Sequence, residues 1–322
     1  MNQATRTRLE RNIFHAAHQA CEPWDTFPWH TGRGGAIDTH VAHSSQALAI
    51  DVFGTIKTSA DRDTILDAIA QTIGLPTGGP WAMSLEWVPR PSLLNEPRPT
   101  QVDVYAENPQ SVILFECQFT EQDGGPCSQT VKRNGSIPCN GNYVQPINER
   151  SDRTRRCALT EKGIQYWDII PKVFHLDAQT DYQPCPFAGP TYQWMRNLVV
   201  AYKVARQKNK QPAVVIVYAN SPGLPMAQKV RSQAWAQFAG TVKQDQVPLH
   251  VRSYQEILTL AQETTRKGNE QQTVWMELDE WVHKKISTLN ADREKPKRKI
   301  LSHPNAMSAN RNGCRRESPR TS

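Results

Sequence analysis

The sequence predicts an α/β fold, a mixed β-sheet flanked by helices, on three observations. Helical periodicity fills most of the first 73 residues, two strand-like runs joined by a short turn follow at 102 to 121, and a helical stretch then leads into a continuous apolar run, Ala213 to Ala219. Helices ahead of a hairpin and a βαβ-like continuation behind it define that class.

At the start, Leu9, Ile13, Ala16, Ala17 and Ala20 recur at helical spacing and predict a helix over residues 1 to 21, broken by Pro23-Trp24 and Gly34-Gly35. A second helix is expected from about Thr39 to Phe53, opening near His43-Ser44-Ser45-Gln46. A third spans Ser59 to Ile73, with Ser59 as N-cap, Asp61 and Asp63 in the first turn, and Gly74 as terminator. Trp81 to Val88 reads as a strand, and Pro89 to Pro99 as a connector. Past the hairpin, residues 122 to 146 are rich in Gly, Asn, Ser and Pro, so the region of about 122 to 189 reads as an irregular, cysteine-containing loop insertion. A helix of about seventeen residues is expected after Pro190, with Met195, Leu198, Val199 and Tyr202 as its apolar stripe. The β-branched run Val214-Val215-Ile216-Val217 predicts a central strand covered on both faces. Further expected elements are a helix over Gln228 to Phe238, a short strand Leu249-His250-Val251-Arg252, a helix capped by Ser253 with Glu256 completing a capping box, and a last helix from Val274 to Leu289.

The hairpin carries the chemistry. Its arms are Val102-Asp103-Val104-Tyr105 and Val112 to Glu121, and Asn108-Pro109 suits the turn between them. Pairing symmetric about Pro109-Gln110 sets Asp103 against Glu116. Strand alternation then puts Gln118 on the face of Glu116 and Cys117 on the other. Opposed carboxylates repel, so ionised acids in this arrangement call for a cation, and a divalent metal is the natural candidate.

Asp103, thirteen positions before the Glu116-Cys117-Gln118 tripeptide, resembles the acid-then-E-x-K signature of the PD-(D/E)XK nuclease superfamily, the restriction-endonuclease-like fold. Ile113-Leu114-Phe115 before it and Phe119-Thr120-Glu121 after it resemble a bacterial branch, as do His43-Ser44-Ser45-Gln46 and Tyr192-Gln193-Trp194-Met195-Arg196-Asn197. Gln118 stands where the superfamily most often has Lys, an E-x-Q variant, and an amide neither carries charge nor accepts a proton as a base. The resemblance implies a metal-dependent nuclease acting on DNA, with Asp103 and Glu116 holding Mg²⁺ or Mn²⁺ and Gln118 assisting. The competing reading is a catalytically inactive nuclease-like protein that binds nucleic acid or another partner.

Other candidates attach to this picture. Glu86, in the preceding strand, is a possible third metal-site acid, although a flanking acid also suits a solvent-facing position. Glu121 falls across the strand from Glu116 by parity. Gln193, Arg196 and Asn197 share a helix face suited to phosphate contact, as do Ser44, Ser45 and Gln46, one Ser being equally explained as a helix cap. Cys127, Cys139, Cys157 and Cys185 are candidates for a structural Zn²⁺ or iron–sulfur site, although their intervals of eleven, seventeen and twenty-seven residues match no standard finger. His30, His40 and His43 form another conceivable metal set, a weaker one because scattered histidines ordinarily serve as surface or hydrogen-bonded residues.

Charge and length bound the rest. The net charge of +7 sits mostly after residue 290, where nine Lys or Arg face three acids. One nuclease-like domain is therefore expected over 1 to 289, with a basic, disordered tail from 290 to 322 that either adds phosphate attraction or is a solubilising tail with no defined partner. Lys132, Arg133, Arg150, Arg153, Arg155 and Arg156 supply the one basic stretch in the body. The chain has neither a leader-like apolar run nor a stretch approaching the roughly 20 apolar residues of a membrane span, so a soluble cytoplasmic protein is expected. Seven cysteines, an odd number, argue against a disulfide framework.

Overall fold

The structure, a computed structural model, describes residues 1–32, 34–132, 135–145, 157–177, 179–265 and 270–294. Five strands form one sheet in the order β1-β2-β3-β4-β5: β1 (Ala82–Trp87), β2 (Val102–Glu107), β3 (Ser111–Gln118), β4 (Gln211–Tyr218) and β5 (Leu249–Ser253). The first three are antiparallel neighbours, while β3-β4 and β4-β5 are parallel. This is the expected α/β class: a mixed sheet flanked by helices, consistent with a restriction-endonuclease-like fold. β3 is buried along its whole length, as its run of apolar residues on both faces requires.

Helices cover both faces. On one lie α1 (Gln3–Asn12), a 3₁₀ segment (His15–Cys21), α2 (Ser45–Ala49), a π turn (Ile50–Gly54), α3 (Thr55–Thr58) and α4 (Arg62–Thr72). On the other, α5 (Ala158–Glu161), α6 (Tyr166–Val173), α7 (Tyr192–Lys208), α8 (Pro225–Lys229) and α9 (Gln233–Thr241) enclose a second core. The chain then returns to the first face with α10 (Tyr254–Thr264) and α11 (Glu270–Glu294). Among the described residues no helix is long and apolar enough to cross a membrane.

Several boundaries differ from the sequence reading for local reasons. The first helix ends at Asn12, because Phe14 donates its backbone N–H to Asp51 Oδ1 at 2.7 Å instead of continuing the helical ladder. The second begins at Ser45, six residues later than expected. Ser44 is its cap, accepting the Ala47 N–H, and it runs through the π turn to Thr58. Ser59 accepts from Asp61 N–H, which delays α4 to Arg62, while Gly74 takes the expected positive φ of 72°. The single helix expected over Gln228 to Phe238 is two, divided at Ser232, which caps α9 through Trp235 N–H. Ser253 and Glu256 form the expected capping box.

The region read as an irregular insertion contains two helices, α5 and α6. The stacked ring pair Tyr143–Trp167, centroids 3.6 Å apart, helps seat them. Gly124 fixes where this region meets the body. A Cβ there would lie 2.8 Å from the Trp194 ring, and the Gly124 carbonyl accepts the Gln193 N–H at 2.9 Å. Only glycine permits that approach to the start of α7. Residues 290 to 294 complete α11, and the rest of the expected tail lies outside the described residues, as do Arg133, Arg150, Arg153, Arg155 and Arg156.

Candidate active site

The hairpin register sets Val104 opposite Phe115 and Glu107 opposite Val112, so Asp103 and Glu116 fall one step beyond a paired position. Across the other edge, Leu85 pairs with Val104 and Trp87 with Val102, which flanks Glu86 and Asp103. Three acids from three strands thus occupy one row. At that row the backbone breaks alternation. Glu86 takes a φ of 52°, a left-handed conformation uncommon outside Gly, Asn and Asp. Met83 and Leu85 belong to the first core but Trp87 packs on the second; likewise Val104 and Ala106 belong to the first and Val102 to the second. Backbone strain of this kind concentrates at functional sites, where it re-aims side chains.

Glu116 is almost fully buried and is held from two sides. Asn197, on α7, donates its Nδ2 to Oε2 at 2.6 Å, and Gln118 donates its Nε2 to Oε1 at 3.0 Å; the Gln193 side chain adds a further hydrogen bond. Asp103 Oδ2 accepts the Cys117 backbone N–H at 2.6 Å. Burial, outweighing these donors and reinforced by Glu121, pushes Glu116 up to about 7. Burial, then Glu116 and Glu86, hold the Asp103 carboxyl well above the usual carboxylate range, against the Cys117 N–H. The row cannot be fully ionised near neutrality without added positive charge.

Glu86 is 5% exposed, and its Oε2 accepts Gln101 Nε2 at 2.5 Å and lies 3.3 Å from His30 Nε2. The bond to Glu86 raises the His30 pKa over the opposing effect of burial. Beside this pair opens a cavity of about 560 Å³, lined among others by His30, His43, Ser44, Ser45, Gln101 and Glu121. None of its lining residues is Lys or Arg. Parity misplaces Glu121, because β3 ends at Gln118 and the chain folds back. Its Oε2 accepts Phe119 and Thr120 N–H, and Ser45 Oγ donates to its Oε1. Glu121 and His30 are the residues the alternation argument missed. Both reach the site from outside a regular strand.

The remaining candidates divide. Ser44 is a cap, whereas Ser45 faces Glu121 in the cavity. Gln46 is 2% exposed and its amide is consumed internally, by His30 N–H, Thr39 Oγ1 and the Pro28 carbonyl. It ties the 28–39 loop to α2 and is buried away from any phosphate. Arg196 turns away from Gln193 and Asn197. Its Nε donates to Tyr166 Oη at 2.9 Å and its guanidinium pairs with buried Glu96 at 3.2 Å. Neighbours on a helix point about 100° apart, so Asn197 can reach Glu116 while Arg196 cannot. Cys127, Cys139, Cys157 and Cys185 line a separate small cavity. His40 does not line the 560 Å³ cavity that His30 and His43 border. Among the described residues no three or more His, Cys, Asp or Glu side chains close on a common point as a finished metal-ligand set.

The chemistry of the carboxylate row still fits a small divalent cation. Its donors are hard oxygens, and the two buried side-chain atoms next to Glu116 that lack partners, Gln118 Oε1 and Asn197 Oδ1, are both acceptors. Acceptors around crowded acids suit a hydrated ion whose waters donate.

A protein-family model described as "Restriction Endonuclease associating with ARP" matches residues 2–280, most of the chain. No curated protein and no solved structure matches.

Proposed function

We propose, on the premise that this chain belongs to the family of restriction endonucleases associating with ARP, that it is a metal-dependent nuclease hydrolysing phosphodiester bonds, in DNA rather than RNA. The supporting observation is the row of Glu86, Asp103 and Glu116, whose two inner acids share a raised pKa that a cation would relieve. Asp103 and Glu116 would hold Mg²⁺ or Mn²⁺, which when bound supplies a lowered pKa for water and positive charge for the scissile phosphate. In this reading the site is the E-x-Q form of the PD-(D/E)XK pattern.

The chain's own groups then divide the work. Asn197, Gln193 and Gln118 orient Glu116 through its two oxygens. Gln118 donates to Glu116, and neither it nor any Lys or Arg lines the cavity. His30, held by Glu86, is a titratable group that is open to the cavity. His30 is placed to move a proton at Nε2, which Gln118 cannot do. Ser45 and Thr120 border the same opening, their hydroxyls donating to Glu121 and to the His43 carbonyl.

A specific observation also favours the rival, an inactive nuclease-like nucleic-acid-binding protein: Gln118 is 4% exposed and engaged with Glu116, not with the cavity. Incubation of the purified protein with plasmid DNA in Mg²⁺, Mn²⁺ or EDTA separates the two. The nuclease reading expects nicking or linearisation with metal, abolished by EDTA and by Glu116→Ala. Folded wild-type protein that binds DNA and never cleaves it supports the rival, and cleavage undiminished in Glu116→Ala removes the assigned site.

A further inference from the structure

Four of the seven cysteines, Cys127, Cys139, Cys157 and Cys185, come from segments up to 58 positions apart, and all four line one cavity beneath the region between β3 and α7. The other described cysteines behave differently. Cys21 and Cys117 sit singly in the main apolar core, and all six described thiols are free. Convergence of four thiols on one cavity is not what apolar packing of small side chains produces.

The backbone around them is arranged for sulfur. Cys127 N–H donates to the Ala188 carbonyl at 3.0 Å and Cys185 N–H to the Gly141 carbonyl at 2.6 Å, so the two loops that carry three of the thiols are laced together. The backbone N–H groups of Gln129 and Phe187 favour the thiolate form of Cys127 and Cys185 respectively, while the Thr130 N–H goes to the Cys127 carbonyl at 3.0 Å. Each sulfur therefore has a donor two residues ahead, with Pro186 turning the second loop. Hydrogen bonds of this kind favour a thiolate over a thiol and orient sulfur for a metal. Against them, burial raises Cys127 and pushes Cys185 up to about 12.

We propose that Cys127, Cys139, Cys157 and Cys185 form a structural site for one soft divalent cation, Zn²⁺, that pins the β3–α7 region to the body of the fold. Tetrahedral four-sulfur coordination is a preferred environment for Zn²⁺. The small cavity has room for a single ion among the four thiols. In the structure the thiols surround the cavity without closing to ligating distance. Binding would draw them inward and release their protons to solvent, with no change of oxidation state. The cavity's apolar wall, including Trp167 and Phe187, would keep water from the sulfurs.

Elemental analysis of the full chain purified under reducing conditions, without added metal, tests this. The expected result is about one Zn²⁺ per chain, and replacement by Co²⁺ should give the intense visible absorption of a tetrahedral tetrathiolate. Cys127→Ser and Cys185→Ser should each lower bound Zn²⁺ at least tenfold, while Cys314→Ser and Glu116→Ala leave it unchanged; the last keeps this result separate from the fate of the carboxylate site. If those variants fail to fold, chelator-stripped wild-type protein titrated with Zn²⁺ should rebind it with loss of four thiols to a thiol reagent. Folded protein with substoichiometric zinc and four reactive thiols, stoichiometric iron and sulfide, or disulfides among these cysteines would each overturn the proposal.

Discussion

The molecule presents two clusters of ligand-type side chains, and they are built in opposite ways. The carboxylate row is assembled by a sheet: strand register, with a break in alternation at Glu86, brings Glu86, Asp103 and Glu116 into one row, and α7 adds Asn197 and Gln193. The thiol cluster is assembled by loops, cross-bonded through Cys127 to Ala188 and Cys185 to Gly141. Carboxyl oxygens thus sit on strands and the four thiols on loops. The difference teaches that chemistry and anchoring are separable here, and that each cluster should fail without taking the other with it.

The largest break should come from Glu116→Ala, expected to reduce metal-dependent DNA cleavage by about 10³-fold or more while the protein keeps its fold, measured by plasmid nicking beside circular dichroism. Asn197→Ala removes one of the donors holding Glu116 and should lower cleavage about 10- to 100-fold, with the loss in kcat and little change in DNA affinity. Arg196→Met should leave DNA affinity unaltered but cost about 2–3 kcal/mol of stability in urea denaturation, because buried Glu96 loses its cationic partner. A drop in DNA affinity would return Arg196 to the phosphate-contact role.

The metal-free protein should also carry a pH signature from the row. Glu116 is pushed up by burial from its ordinary value of 4.5 to about 7. Its contribution to stability is therefore fully present below pH about 4.5 and is lost as pH rises through about 7. The melting temperature of Glu116→Gln should change less across that window, and Mg²⁺ should oppose the wild-type decline. The smallest sharpening is Gly124→Ala: displacement of the Trp194 ring should cost about 1–3 kcal/mol, read by denaturation, while bound Zn²⁺ stays constant.

Legibility in the sequence followed the same division. A two-residue period and an Asn-Pro turn determine which strand residues face each other, so the hairpin could be drawn from residues alone. Glu121 could not, because β3 stops at Gln118 and Glu121 bends back to accept Phe119 and Thr120 N–H. Gln46 and Arg196 have side chains whose partners are set by tertiary approach: Pro28, His30 and Thr39 for one, Glu96 and Tyr166 for the other. The π turn at Ile50–Gly54 leaves hydrophobic periodicity nearly intact and gives no separate signal. The cysteine intervals match no known finger because the loops between them, not the intervals, bring the sulfurs to one cavity.

Asp51, fully buried in the π turn, accepts the Phe14 N–H and the Trp281 Nε1–H and pairs with Lys285 at 2.5 Å. The family match stops at residue 280, ahead of both α11 partners. A chain shortened to that point would leave a carboxylate without its counter-ion at the centre of the N-terminal layer, a loss that should prevent stable expression. The stretch by which the family is recognised is therefore shorter than the stretch that folds, and excision for structural or biochemical work should retain α11 through Glu294.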